Sequence, residues 1–132
     1  MKYLLDTDTC IYALKGVRSV LAALLSKSRP DVAVSVITEA ELRLGAAKSS
    51  SSVRTARLVE NFLRPLIIVE FGSADAHAYA RVRARLERAG TPIGPLDTLI
   101  AAQAVSRKLV VISNNMREFR RVAGLRVENW VS

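Results

Sequence analysis

The chain has 132 residues, half of them apolar and only 5% aromatic, with twenty Lys and Arg against twelve Asp and Glu for a formal charge of +8. That length suits one domain over residues 1–132 with one aliphatic core, and it is too short for two. Cys10 is the only cysteine, which excludes an intrachain disulfide, and neither a signal peptide nor an apolar run of roughly 20 residues is present, so a soluble protein of the reducing cytoplasm is expected.

In chain order, the first apolar run, Tyr3 to Leu5, reads as a short strand that ends on Asp6-Thr7-Asp8. "TCIYALKG" and "SVLAALLSK" follow as helices. A second strand is expected from Val32 to Val36, then helices over "TEAELRLGAAK" and "VRTARLVENFL", separated by a loop at Ser49 to Ser52. A third strand, Leu66 to Val69, precedes a long helix over "SADAHAYARVRARLERAG". "DTLIAAQAVSRK" is the next helix, and Leu109 to Ile112 the fourth strand. These apolar runs are continuous rather than alternating, as in strands buried on both faces of a parallel sheet. Strands alternating with helices predict an α/β sandwich with right-handed crossovers.

In open sheets of this class, sites form beyond the carboxyl ends of strands, where strand order reverses. Asp6, Glu41 and Ser113 to Asn115 all follow strands, and Asp97 opens the helix before the last one. Each acid has an ordinary alternative. Asp6 or Asp8 suits a helix N-cap, Thr38-x-x-Glu41 matches a capping box, and Asp97 stands at another helix start. Gathered at one sheet edge, however, three carboxylates would repel at ~4 kcal/mol per like pair at ~4 Å and an effective dielectric of ~20. Such a cluster needs protons or a cation to persist. An oxygen-only set suits Mg2+ or Mn2+. Neither Cys10 nor His77 has zinc-like spacing, and His77 sits inside a helical stretch.

The segment "ARVRARLER" places Arg81, Arg85 and Arg88 on one helix face with i, i+4, i+7 spacing. Such a face fits a polyanion, because each phosphate contact releases counterions. A solvated surface or an acidic protein partner fits it as well.

"LLDTDT" also matches the opening of haloacid-dehalogenase-like phosphotransferases, but only nineteen residues follow Ser113. That leaves no room for the downstream lysine and acidic pair of that family. The ordered set "LLDTDTCIYAL", "VSVITEAELRLGAAKS", "IGPLDTLIAA" and "SNNMREF" instead resembles the PIN-domain ribonuclease toxins of bacterial VapC type, nearly end to end. The resemblance implies a PIN-like three-layer sandwich, with a central parallel sheet of four to five strands flanked by helices. It places Asp6, Glu41 and Asp97 on the family's acids, which hold Mg2+ or Mn2+ at the scissile phosphate. Asp6 and Asp97 would anchor the metal, and Glu41 would hold a second ion or position the attacking water.

Two departures from the family pattern stand out. Position 8 is Asp where Asn is usual, and the fourth acidic position falls on Asn115. Glu118 is a candidate substitute, and Ser113 fills a hydroxyl position that orients a carboxylate or water. The same resemblance implies a substrate of structured RNA, tRNA above all and the initiator-tRNA anticodon loop in particular. It also implies a cognate VapB-type antitoxin and a homodimer. The helix with Val53, Ala56, Val59 and Leu63 apolar would form part of the antitoxin groove or simply pack into the core. The rival reading is a PIN-like module that binds RNA without cutting it.

Overall fold

A computed structural model describes residues 1–131. Five short strands form one sheet: β1 (Tyr3–Leu5), β2 (Val32–Ser35), β3 (Ile67–Val69), β4 (Val110–Ile112) and β5 (Arg126–Glu128). Their order is β3-β2-β1-β4-β5, with every pair parallel. The helices are α1 (Thr7–Leu14), α2 (Arg18–Leu25), α3 (Val36–Lys48), α4 (Ser52–Leu63), α5 (Ser73–Arg88), α6 (Pro95–Arg107) and α7 (Met116–Phe119).

Alternation along the strands builds two cores, because successive side chains leave a strand on opposite faces. Leu5, Val32, Val34, Val110 and Ile112 face Cys10, Val20, Leu42, Val59 and Leu63 from α1 to α4. Leu4, Ala33 and Val111 face Leu86, Ile100, Ala104 and Phe119 from α5 to α7. This is the three-layer sandwich expected from the sequence.

The fifth strand falls where the chain-order reading placed none. Arg126-Val127-Glu128 has one half-buried residue between two exposed ones, the mark of an edge strand, and it lacks the apolar run that flagged the others. Val36 also leaves the sheet: β2 stops at Ser35, whose hydroxyl accepts from the Ile37 N–H at 3.0 Å and caps α3. Neither Thr38 nor Glu41 therefore forms a capping box, and Glu41 lies in the second turn of α3 rather than the first. Asp97 is likewise no N-cap. Gly94 holds that position, Pro95 fills the first helical site, and Asp97 follows in the first turn of α6. Asp6 does cap α1, accepting the Thr7 N–H at 2.8 Å.

α5 and α6 form an antiparallel hairpin. The Arg107 guanidinium at the end of α6 reaches Asp75 near the start of α5 at 2.9 Å, so the start of α6 lies beside the end of α5.

Candidate active site

Strand order reverses between β1 and β4, and the Asp6 N–H donates to Ile112 O at 2.9 Å across that junction. Asp6 follows β1 and Ser113 follows β4. The Ser113 hydroxyl donates to Asp6 Oδ2 at 2.8 Å and lies 3.4 Å from both oxygens of Asp8. Asp8 also accepts the Asn114 N–H at 3.2 Å. The Ser113 Oγ in turn accepts the Asn115 N–H at 2.9 Å, so this one buried hydroxyl ties the two strand ends together.

Glu41 joins through a residue that the sequence reading left unassigned. The Thr7 hydroxyl donates to Glu41 Oε1 at 2.7 Å and lies 3.2 Å from the buried Thr38 hydroxyl. Thr7 sits between the two acids of "DTD", one residue from each, and that position was the available signal. Asp97 is joined from the other side. The Asn115 amide donates to Glu118 Oε2 at 2.9 Å and lies 3.5 Å from Asp97 Oδ2. All seven residues singled out in the sequence thus meet in one linked network. His77 lies exposed on α5, and Cys10 is buried in the core next to Asp6, whose carbonyl accepts the Cys10 N–H at 3.2 Å.

The electrostatics are those of uncompensated acids. Burial pushes the Asp6 carboxyl from 3.8 up to about 7, helped by the neighbouring Asp8 and Asp97 and opposed by the Ser113 and Thr7 donors. Burial also pushes Asp97 up to about 6, with Glu118, Glu41 and Asp8 adding to the rise. Among the described residues no Lys or Arg forms an ion pair with any of these carboxylates. Nor do any three Asp, Glu, His or Cys side chains form a ready-made metal cage. An all-oxygen set that is linked but spread apart still fits a hard divalent cation, which takes one or two carboxylates and completes its shell with water and phosphate. Sulfur or imidazole donors, which would favour zinc, are missing from the set.

The PIN-domain profile matches residues 3–125. The chain belongs to the PIN-domain family, among the VapC ribonucleases. It is 39% identical over 98% of both chains to the tRNA(fMet)-specific endonuclease VapC of Salmonella typhimurium. Ribonuclease VapC2 of Haemophilus influenzae is 40% identical over 99% of both chains. The crystal structure of DNA-bound VapBC from Salmonella typhimurium superposes with a TM-score of 0.94, at 39% identity over 98% of both chains. The PIN fold and nuclease class expected from the sequence therefore hold. No helix among the described residues is long and apolar enough to cross a membrane.

Proposed function

We propose that this VapC-type nuclease hydrolyses phosphodiester bonds in tRNA, with Mg2+ or Mn2+ held by Asp6, Asp97 and Glu41. One observation carries the reading: buried acids at the strand-order reversal are left without a cation, in a chain whose net charge is +8. When bound, the cation would supply charge neutralisation at the phosphate and a more acidic attacking water. The chain's own residues do the rest. Ser113 fixes the Asp6 carboxylate and steadies Asp8, while Thr7 holds Glu41 by one oxygen and leaves the other to orient water and take its proton. The Asn115 amide bridges Asp97 and Glu118, which also hydrogen-bond to each other, so a neutral residue at the fourth position links two acids instead of adding a further charge.

The RNA side rests on the arginines. Arg81, Arg85, Arg88 and Arg121 line one groove between α5 and the turn after α7, floored by Val82, Leu86 and Val122. None of the four forms an ion pair among the described residues. Unpaired guanidinium groups over a shallow groove suit phosphates. The Salmonella relative's name carries tRNA(fMet), and the initiator-tRNA anticodon loop is the substrate we assign first here.

The toxin would be held in check in the cytoplasm by a VapB-type antitoxin. The apolar opening between α3 and α4, lined by Ala46, Ala47, Val53 and Ala56, supports such a docking segment. Val59 and Leu63 on the same helix belong to the core, whereas Val53 is 74% exposed. A homodimer is the assembly expected for this family.

The test uses antitoxin-free protein with bulk bacterial tRNA, with and without Mg2+, beside Asp97→Asn. Discrete Mg2+-dependent fragments missing with the variant support the nuclease, and mapped ends name the tRNA. Uncut tRNA that still shifts in a gel would replace this reading with a binding module.

A further inference from the structure

The arginines of α5 divide into two kinds. Arg83 pairs with Glu87 at 3.1 Å, and Asp75, the other acid of the helix, is taken by Arg107 at 2.9 Å. Both acids of α5 are thus engaged elsewhere, and Arg81, Arg85 and Arg88 are left exposed on one face. At 1.5 Å per residue they span about 10 Å of helix, with neighbours inside a Debye length of ~8 Å. Arg121 adds a fourth guanidinium from the opposite wall, and no acid lines the groove among the described residues. Four cations gathered around one groove without an internal anion make a site for an external one.

Which polyanion fits follows from the rest of the lining. Guanidinium groups only donate, and the other lining residues are aliphatic, Val82, Leu86 and Val122 among them. No aromatic ring lines the groove among the described residues, so an unstacked base finds no platform there. No side-chain acceptor is present to read a base edge. Such a surface grips phosphates and is blind to base sequence. Proteins hold double-stranded RNA in this way, because its bases are paired and stacked and its backbone lies outside. A second copy of the chain fits poorly, since a two-fold contact would set this patch against itself, arginine against arginine.

The groove also starts beside the acids. The Arg121 N–H donates to Glu118 O at 3.0 Å, and its guanidinium donates to Pro92 O at 2.9 Å in the turn that leads to Asp97. Arg121 therefore joins the two segments that carry Glu118 and Asp97. Because the end of α5 lies beside the start of α6, Arg88 is nearest the acids and Arg81 farthest. RNA leaving the acidic network on this side passes onto Arg121 and Arg88 first.

We propose that this groove holds one strand of the duplex stem adjoining the cleaved loop, by its phosphates alone. The enzyme thereby selects a loop closed by a stem over the same sequence as a free strand. The proposal deepens the ribonuclease reading and rests on it.

Two probes test it: the anticodon stem-loop of initiator tRNA as a hairpin, and the same loop sequence as an unpaired strand. Antitoxin-free protein meets both at low ionic strength, for binding by fluorescence anisotropy in EDTA and for cleavage in Mg2+. The wild type should favour the hairpin. Replacing Arg81, Arg85 and Arg88 together by Ala should reduce that preference about tenfold, through Kd and KM rather than kcat. A charge-matched control, Arg54, Arg57 and Arg64 replaced together by Ala at α4 on the other side of the sheet, should keep the preference. The assignment is wrong if the wild type shows no preference, or if the preference survives the α5 replacement. It is equally wrong if the control loses as much, because net charge alone is then the cause. Escape of the α5 variant from antitoxin inhibition with the preference intact would give the groove to an acidic protein. Failure of the wild type to cut either probe or any bulk tRNA would overturn the ribonuclease reading instead. The anisotropy would still decide the groove, since a contact blind to sequence accepts any stem.

Discussion

Asp6 and Asp75 are both aspartates near a helix start, and both are almost wholly buried, at 4% and 1% exposure. Their surroundings give them opposite chemistry. Asp75 accepts the Gly72 N–H at 2.8 Å and both Nε and Nη2 of Arg107 at 3.3 and 2.9 Å. Although burial opposes ionisation, these donors and the Arg107 charge hold its carboxyl below the usual range. Asp6 has two donors, Ser113 and Thr7, but its charged neighbours are other acids, and its carboxyl rises to about 7. A buried acid with an internal cation holds the fold together. A buried acid denied one stores repulsion, and this repulsion is relieved only by a proton or by a cation from outside.

The largest effects should come from breaking each half of that contrast. Replacing Asp6 or Asp97 by Asn should reduce Mg2+-dependent tRNA cleavage below ~1% of wild type, while thermal unfolding at pH 8 shows equal or greater stability because a repelling charge is gone. Arg107→Ala should do the reverse. It leaves Asp75 buried and unpaired, which costs about 3 kcal/mol and is read as a lower urea midpoint, with kcat/KM little changed at temperatures where the variant is folded.

Changing pH sharpens the comparison next. Asp6 and Asp97 bind protons more tightly in the folded chain than at their ordinary value of 3.8. The folded state is therefore favoured by protonation, and stability from these two groups falls as pH rises from about 4 through about 7, staying low above that. Asp75 has the opposite sign: its contribution is present above 3.8 and is lost as pH falls below it. Mg2+ should accordingly raise the melting temperature more at pH 8 than at pH 5. Equal Mg2+ effects at both pH values would show that the acids are not where the ion binds.

A smaller effect is expected from Ser113→Ala. With that hydroxyl lost, Asp6 keeps only the Thr7 donor, and Mg2+ affinity by calorimetry should weaken about tenfold. Smallest at high ionic strength, and growing as salt is lowered, is the effect of replacing Arg81, Arg85 and Arg88 together by Ala. The slope of log Kd for tRNA against log salt should drop by about 2, at about 0.7–0.9 per lost phosphate contact.

Much of this was legible in the residues. Continuous apolar runs at Tyr3 to Leu5, Val32 to Val36, Leu66 to Val69 and Leu109 to Ile112 announced parallel strands, because a strand covered on both faces tolerates such runs. The acids stood out by type and by their place after strands. The edge strand Arg126–Glu128 was missed since an exposed strand carries no apolar run, and the boundary at Ser35 was missed because Val36 has a strong strand preference that the Ser35 cap overrides.

The sequence by itself thus determined the layers, four of the five strands, the basic helix face and the family, all of which depend on local periodicity or on ordered motifs. Tertiary structure alone decided which donor meets which acid. Thr7 reaches Glu41 across 34 positions, Ser113 reaches Asp6 across 107, and Arg107 reaches Asp75 across 32. A carboxylate's charge state is set by the few groups within about 6 Å of it. Those groups come from distant parts of the chain, so only the folded arrangement makes one buried aspartate a structural anion and the other a candidate ligand for a metal ion.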